Sequence, residues 1–171
     1  MIQFARWLDA LDSPDALLRA AVVRRAMADI GIEETAKNSS PYIDEVLRDV
    51  GALPGDPWCA ALLTRWCRDT NVARPVYGAA ACETWRQFAI KRGTWREVGT
   101  GYVVLPGDMV LYGDKTHVHH CGLIARVSSF GMRDVEGNTS WSGFSREGVA
   151  CDYKPVLMSL VAGYIVPQAV A

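Results

Sequence analysis

Residues 56–69 read DPWCAALLTRWCRD, and their periodicity decides the fold. Asp56 and Pro57 are helix-start residues. Cys59, Leu62, Leu63, Trp66 and Cys67 then recur at three- and four-residue spacing, the one-sided apolar stripe of an amphipathic helix. Cys59 falls in the first turn. Toward the N-terminus the same grammar occurs twice more. Ser40 caps and Pro41 opens a helix with Asp44 and Glu45 in its first turn, where the dipole favours acids, and Gly51 ends it. Ser13 and Pro14 open another, ALLRAAVVRRAMADI, running to Gly31. A shorter helix is predicted over 83–92, closed by Gly93. Beyond it the period changes to short β-rich runs broken by turns, which predict strands near 109–112, 119–127, 132–135 and 160–166, and near 149–153. Helices first and strands afterwards predict an α+β fold, with N-terminal helices packed on a central antiparallel β-sheet.

No repeat, linker or charge block divides the chain, so residues 1–171 read as a single domain. Half of the 171 residues are hydrophobic, enough to build a core without staples. The 18 basic and 19 acidic residues nearly cancel, leaving no electrostatic footprint for DNA or RNA, so no nucleic-acid partner is expected. No stretch approaches the roughly 18 apolar residues of a membrane span, and no membrane insertion is expected. The opening MIQFARWLDALD lacks the cationic start and apolar run of a signal peptide. The protein is therefore expected to be made in the cytoplasm. Five cysteines at irregular spacing, without CxxC pairs, match neither a disulfide framework nor a structural zinc site. Cys67, Cys82, Cys121 and Cys151 are expected as buried thiols, with no structural disulfide.

A cysteine in the first turn of a helix faces unpaired backbone N–H groups and the positive end of the dipole, both of which favour the thiolate. Cys59 is thus poised as a nucleophile, the alternative being a small buried hydrophobe. A nucleophile needs a base, and all three histidines lie in the run His117, Val118, His119, His120 that leads into Cys121, Gly122, Leu123, Ile124. On a strand His120 shares a face with Gly122, which leaves open space, and not with His119. His120 is the candidate base. Its orienting partner is sought in Asp134, Val135, Glu136, Gly137, Asn138, where Glu136 and Asn138 stand two apart and share a face. The alternative reads Gly137, Asn138, Thr139 and Ser140 as turn punctuation. A zinc site on His117, His119 and Glu136 would have to be assembled without HExxH or ligand spacing, and no acidic run resembles an EF-hand loop. No metal or cofactor is expected. Among the tryptophans, Trp58 and Trp141 adjoin the candidate site residues and are the two expected to contact substrate, while most others should be core.

The stretches GALPGDPWCAALLTRWC, LPGDMVLY, HHCGLIARV, DVEGNTS, EGV and AGYI together resemble the CHAP domain, the cysteine- and histidine-dependent amidohydrolases and peptidases, with papain-like NlpC-type enzymes as more distant relatives. The similarity covers about residues 15–166, leaving a short N-terminal tail. The resemblance implies a papain-like CHAP fold and a peptidoglycan hydrolase that cleaves an amide bond of the bacterial wall, as an endopeptidase or as an N-acetylmuramoyl-L-alanine amidase. Residue by residue, Cys59 matches the nucleophile, His120 the base, and Glu136 and Asn138 the acidic and amide positions completing the site. Where the family often shows phenylalanine this chain has Leu62 or Leu63, and His119 and Cys121 beside the histidine are departures.

The leading expectation is a monomeric, phage-type endolysin acting on peptidoglycan after release, through a holin or by secretion. The alternatives are a secreted antibacterial amidase effector, a non-catalytic wall-binding or virion module, and an acyl or amine transferase on the same scaffold.

Overall fold

The computed structural model of the chain describes residues 13–140 and 148–170. Within them, four α-helices come first: α1 Pro14–Met27, α2 Pro41–Asp49, α3 Cys59–Asp69 and α4 Cys82–Lys91. The two Ser-Pro starts form capped helices, with Ser13 Oγ accepting from Ala16 N–H at 3.2 Å and Ser40 Oγ from Ile43 N–H at 3.4 Å. Helix α1 stops short of Gly31 because the chain turns at Asp29, whose carboxylate points inward and accepts bonds from Tyr42 Oη and Trp66 Nε1, both at 2.8 Å. Glu45 lies beyond the first turn of α2; it reaches Arg65 of α3, which also bonds Asp49, and so helps tie α2 to α3.

Six strands follow: β1 Trp95–Glu97, β2 Met109–Gly113, β3 Val118–Ser128, β4 Gly131–Thr139, β5 Ala150–Pro155 and β6 Val161–Ile165. They form one antiparallel sheet in the order β1-β6-β2-β3-β4-β5. The architecture is α+β, helices before sheet, as the change of period implies. Two strands differ from the sequence reading. The three-residue β1 was not anticipated; it is an edge strand held by β6 from near the end of the chain. Strand β4 runs on to Thr139, through residues that also read as a turn. The pair Glu136↔Asp152 is followed by Thr139↔Ala150, so β4 carries one extra residue, and Asn138 adopts a φ of 55°. The Gly-Asn chemistry of this stretch makes a bulge inside a strand rather than a turn.

The helices cover the sheet face that presents Met109, Leu111, Cys121, Leu123 and Val135, all in one buried cluster with Val22, Ile43, Leu47, Leu62, Leu63 and Trp66. Val110, Tyr112, Ile124 and Tyr164 form a second cluster from the alternate residues of the strands. Gly137 sets how closely α3 approaches β4, since a Cβ there would lie 2.7 Å from Leu62 Cδ2 and 2.8 Å from Trp58. No helix among the described residues is long and apolar enough to cross a membrane.

Candidate active site

Cys59 is the first residue of α3, and that helix end is built differently from those of α1 and α2. Trp58 occupies the cap position without a side-chain cap bond, while the nearby acid Asp56 spends its carboxylate on Leu53 N–H at 2.9 Å. The first intrahelical bond runs from Leu62 N–H to Trp58 O at 2.9 Å, so the N–H groups of Cys59, Ala60 and Ala61 emerge from the helix end. Trp58, expected at a substrate groove, is 0% exposed and donates its Nε1–H to Glu34 Oε1 at 2.9 Å. In this structure it props the helix start from within. Trp141 lies outside the described residues.

The second helix with an uncapped start is α4, and it too begins with a cysteine, Cys82. Its approach turn is pinned to α3: Thr64 Oγ1 lies 3.1 Å from Ala79 O, and Trp85 Nε1 donates to the same oxygen at 3.2 Å. Cys82 Sγ consequently comes to 3.9 Å from Cys59 Sγ. Cys121 of β3 completes the group, with the three sulfurs all within 4.8 Å of one another. None of the five cysteines forms a disulfide, and all are buried.

His120 stands on β3 directly opposite Tyr112 of β2, and the two rings stack with centroids 5.8 Å apart. Between Tyr112 and Gly113 the pairing skips from His120 to Val118, so His119 is the extra residue and is exposed. Gly122, two residues on, does not leave open space: a Cβ there would lie 2.4 Å from Asp134 Oδ2 and 3.0 Å from Glu136 Cγ. The glycine admits the two carboxyl side chains of β4. Glu136 uses that room to meet the histidine, with His120 Nε2 3.0 Å from Glu136 Oε2. The same carboxylate oxygen accepts from Thr139 Oγ1 at 2.8 Å and lies 3.6 Å from Lys154 Nζ of β5, while Lys154 also donates to Thr139 Oγ1 at 2.7 Å.

Asn138 does not take the place the alternation suggested. The bulge breaks the two-residue period, bringing Thr139 rather than Asn138 to the Glu136 carboxylate. Both amide atoms of Asn138 are buried without a hydrogen-bond partner. His117 and His119 do not gather with Glu136. Both are exposed, His117 sits in a turn with its N–H on Asp114 Oδ1, and Glu136 is committed to His120.

The charges follow from these contacts. Thiol donation from Cys121 and Cys82, against burial and with help from His120, holds the Cys59 thiol well below its ordinary value. Burial opposes charge on His120, but Cys59 and Glu136 outweigh it and raise the imidazole to about 10. Burial works against the Glu136 anion as well, and His120, Lys154 and Thr139 together pull it below the usual carboxylate range. Asp134 goes the other way: burial and the neighbouring Glu136 charge push it well up, which favours its neutral form, and its Oδ2 accepts from Tyr112 Oη at 2.6 Å. These shifts favour a thiolate, an imidazolium and a carboxylate across Cys59, His120 and Glu136. His120 Nδ1 is buried with no hydrogen-bond partner among the described residues, and the Cys59 sulfur acts on the ring from close by.

Of the four polar site residues read from the sequence, the structure brings Cys59, His120 and Glu136 together and leaves Asn138 apart from their hydrogen bonds. It adds Thr139 and Lys154, which anchor Glu136, and Cys82 and Cys121, which crowd Cys59. A cavity of about 500 Å³ lined by Arg65, Arg68, Arg74, Phe88 and Arg92 lies elsewhere and includes neither Cys59 nor His120. In comparisons with known proteins, no family model, no curated protein and no solved structure matches the chain.

Proposed function

We propose that the protein is a cysteine-dependent amidase or peptidase of the CHAP type that cleaves an amide bond of bacterial peptidoglycan. The observation that carries the reading is the Cys59–His120–Glu136 row: a thiolate at an uncapped helix start, against an imidazolium held by a buried carboxylate. A binding or virion module has no use for that charge separation, whereas acyl transfer requires it. The wall as substrate rests on the resemblance of the DPWC, HHCG and VEGN motifs.

The resting ion pair means that the proton has already left sulfur. The Cys59 thiolate attacks the amide carbonyl, and the helix-start N–H groups of α3 stand ready for the oxyanion. His120 protonates the leaving amine as the C–N bond breaks, leaving an acyl thioester on Cys59. A water then gives its proton to His120 and its hydroxide to the acyl carbon, releasing the acid and restoring the thiolate. Glu136 stays ionised throughout and fixes the ring through Nε2. Cys59 is 4% and His120 6% exposed, which favours a slender, extended chain such as a stem peptide over a folded protein.

Mass spectrometry of soluble products from purified peptidoglycan, with wild type and Cys59→Ala, tests the reading. Wild type alone should release fragments. Free lactyl groups identify an amidase and new peptide amines an endopeptidase. Release by both proteins, or by neither from several wall types, rejects the proposal.

A further inference from the structure

The hydrolytic mechanism uses one of the three clustered sulfurs and gives Cys82 and Cys121 no chemistry of their own. We propose that Cys59, Cys82 and Cys121 form a zinc-binding site, holding the ion through their three sulfurs.

The spacing supports it. Zinc–sulfur bonds of about 2.3 Å at tetrahedral angles set the sulfurs roughly 3.8 Å apart. Cys59 and Cys82 stand at 3.9 Å already. The remaining separations, all within 4.8 Å, need to close by no more than about 1 Å. The three side chains also come from rigid elements, the first residues of α3 and α4 and the middle of β3, so the set is largely preformed. Thiolates select soft or borderline ions, and a three-sulfur set leaves the fourth zinc position to a nitrogen or a water.

The charge balance supports it too. Zinc with three thiolates carries a single negative charge. Two uncapped helix starts, those of α3 and α4, point their positive ends at the sulfurs, and neither spends a side chain on its own amides. Binding draws the three sulfurs in as thiolates and releases whatever thiol protons they carry. The sequence hid this site because residues 59, 82 and 121 have no ligand spacing along the chain. If the hydrolase reading holds, zinc and substrate compete for one sulfur, and zinc silences the enzyme. The site itself does not depend on that reading.

The test is a titration of the full-length chain, stripped of metal and kept reduced with a phosphine, first with cobalt(II) and then with zinc(II). One equivalent of cobalt should give thiolate-to-metal charge-transfer absorption and the strong visible bands of a tetrahedral ion, and one equivalent of zinc should abolish them. Cys82→Ala and Cys121→Ala should each weaken zinc binding by more than the roughly tenfold that loss of even an outer-shell partner costs. Cys67→Ala, buried on the same helix but outside the cluster, should leave the titration unchanged. Absence of the charge-transfer band in the wild-type protein overturns the proposal whatever the variants do. Binding that survives both Cys82→Ala and Cys121→Ala also overturns it. Neither result requires hydrolysis, so a failure of the zinc site and a failure of the proposed activity are separately visible.

Discussion

Helix α3 carries a cysteine near each end, and the two have opposite properties. Cys59 at the start and Cys67 in the last turns are both buried, yet burial pushes the Cys67 thiol far up with only the distant charge of Arg74 opposing it. Cys59 is held down by Cys121, Cys82 and His120. The difference teaches that burial makes a thiol inert only where nothing answers its charge. At the start of α3 the uncapped amides, two neighbouring thiols and an imidazolium all do.

The largest effect expected from that contrast is on turnover. In the proposed reaction, Cys59→Ala should cut peptidoglycan hydrolysis by at least about 10⁴-fold, on the scale of losing a nucleophile. Cys67→Ala should keep turnover close to wild type and cost roughly 1–3 kcal/mol of stability as a small core truncation. Product release and denaturant unfolding of the two variants check both halves; equal loss of turnover would break the comparison.

Next is the carboxylate. Glu136→Gln keeps an acceptor beside His120 Nε2 but removes the charge, and turnover should fall on the order of 10²- to 10⁴-fold. Because Glu136 helps raise His120 to about 10, the variant's imidazole should titrate lower and the alkaline limb of the pH–rate profile should move to lower pH. An unmoved alkaline limb would remove Glu136 from the account.

The pair also leaves a mark on stability. Free imidazole titrates near about 6.5 and free thiol near about 8.5. His120, raised to about 10 in the fold, contributes stability that is complete below about 6.5 and lost as pH rises through 10. Cys59, depressed in the fold, contributes stability that is complete above about 8.5 and lost as pH falls through its folded value. Where the fold keeps the histidine proton and has lost the Cys59 proton while the unfolded chain does the reverse, the two slopes cancel. Above the free-thiol value stability should fall toward pH 10 in the wild type, through His120 and through the buried Cys67, Cys121 and Cys151 thiols that the fold also holds up, and only the His120 share of that fall should diminish in Cys59→Ala. Urea unfolding at a series of pH values measures it.

Smaller still are the effects on the framework. Gly137→Ala places a methyl against Trp58 and Leu62 and should cost about 1–3 kcal/mol. Ser40→Ala, which strips the cap from α2, should cost about 1 kcal/mol.

Much of the helical layer was legible because serine–proline starts are local chemistry, as is the switch from a helical to a strand period after Gly93. Cys59 at a helix start and His120 facing Gly122 were legible for the same reason. What stayed hidden depends on pairing between distant segments. The bulge at Asn138 is set by the register of β4 against β5, so alternation alone turned the wrong residue toward Glu136. Lys154 reaches Glu136 only because β5 lies beside β4, and Cys82 reaches Cys59 only because α4 starts where the 79–82 turn is pinned to α3. The edge strand β1 forms through its partner β6, nearly seventy residues later, rather than through any propensity of three residues.

In the proposed site Cys59 is held toward the thiolate by its neighbouring thiols Cys121 and Cys82 and by His120. This is tested most directly by the rate of iodoacetamide alkylation at Cys59, resolved by peptide mass spectrometry across pH in wild type and His120→Ala. The rate should stay flat as pH falls well below the free-thiol value of about 8.5, and the His120→Ala profile should shift upward toward that value. A wild-type profile that titrates near about 8.5, unchanged by His120→Ala, would contradict the account.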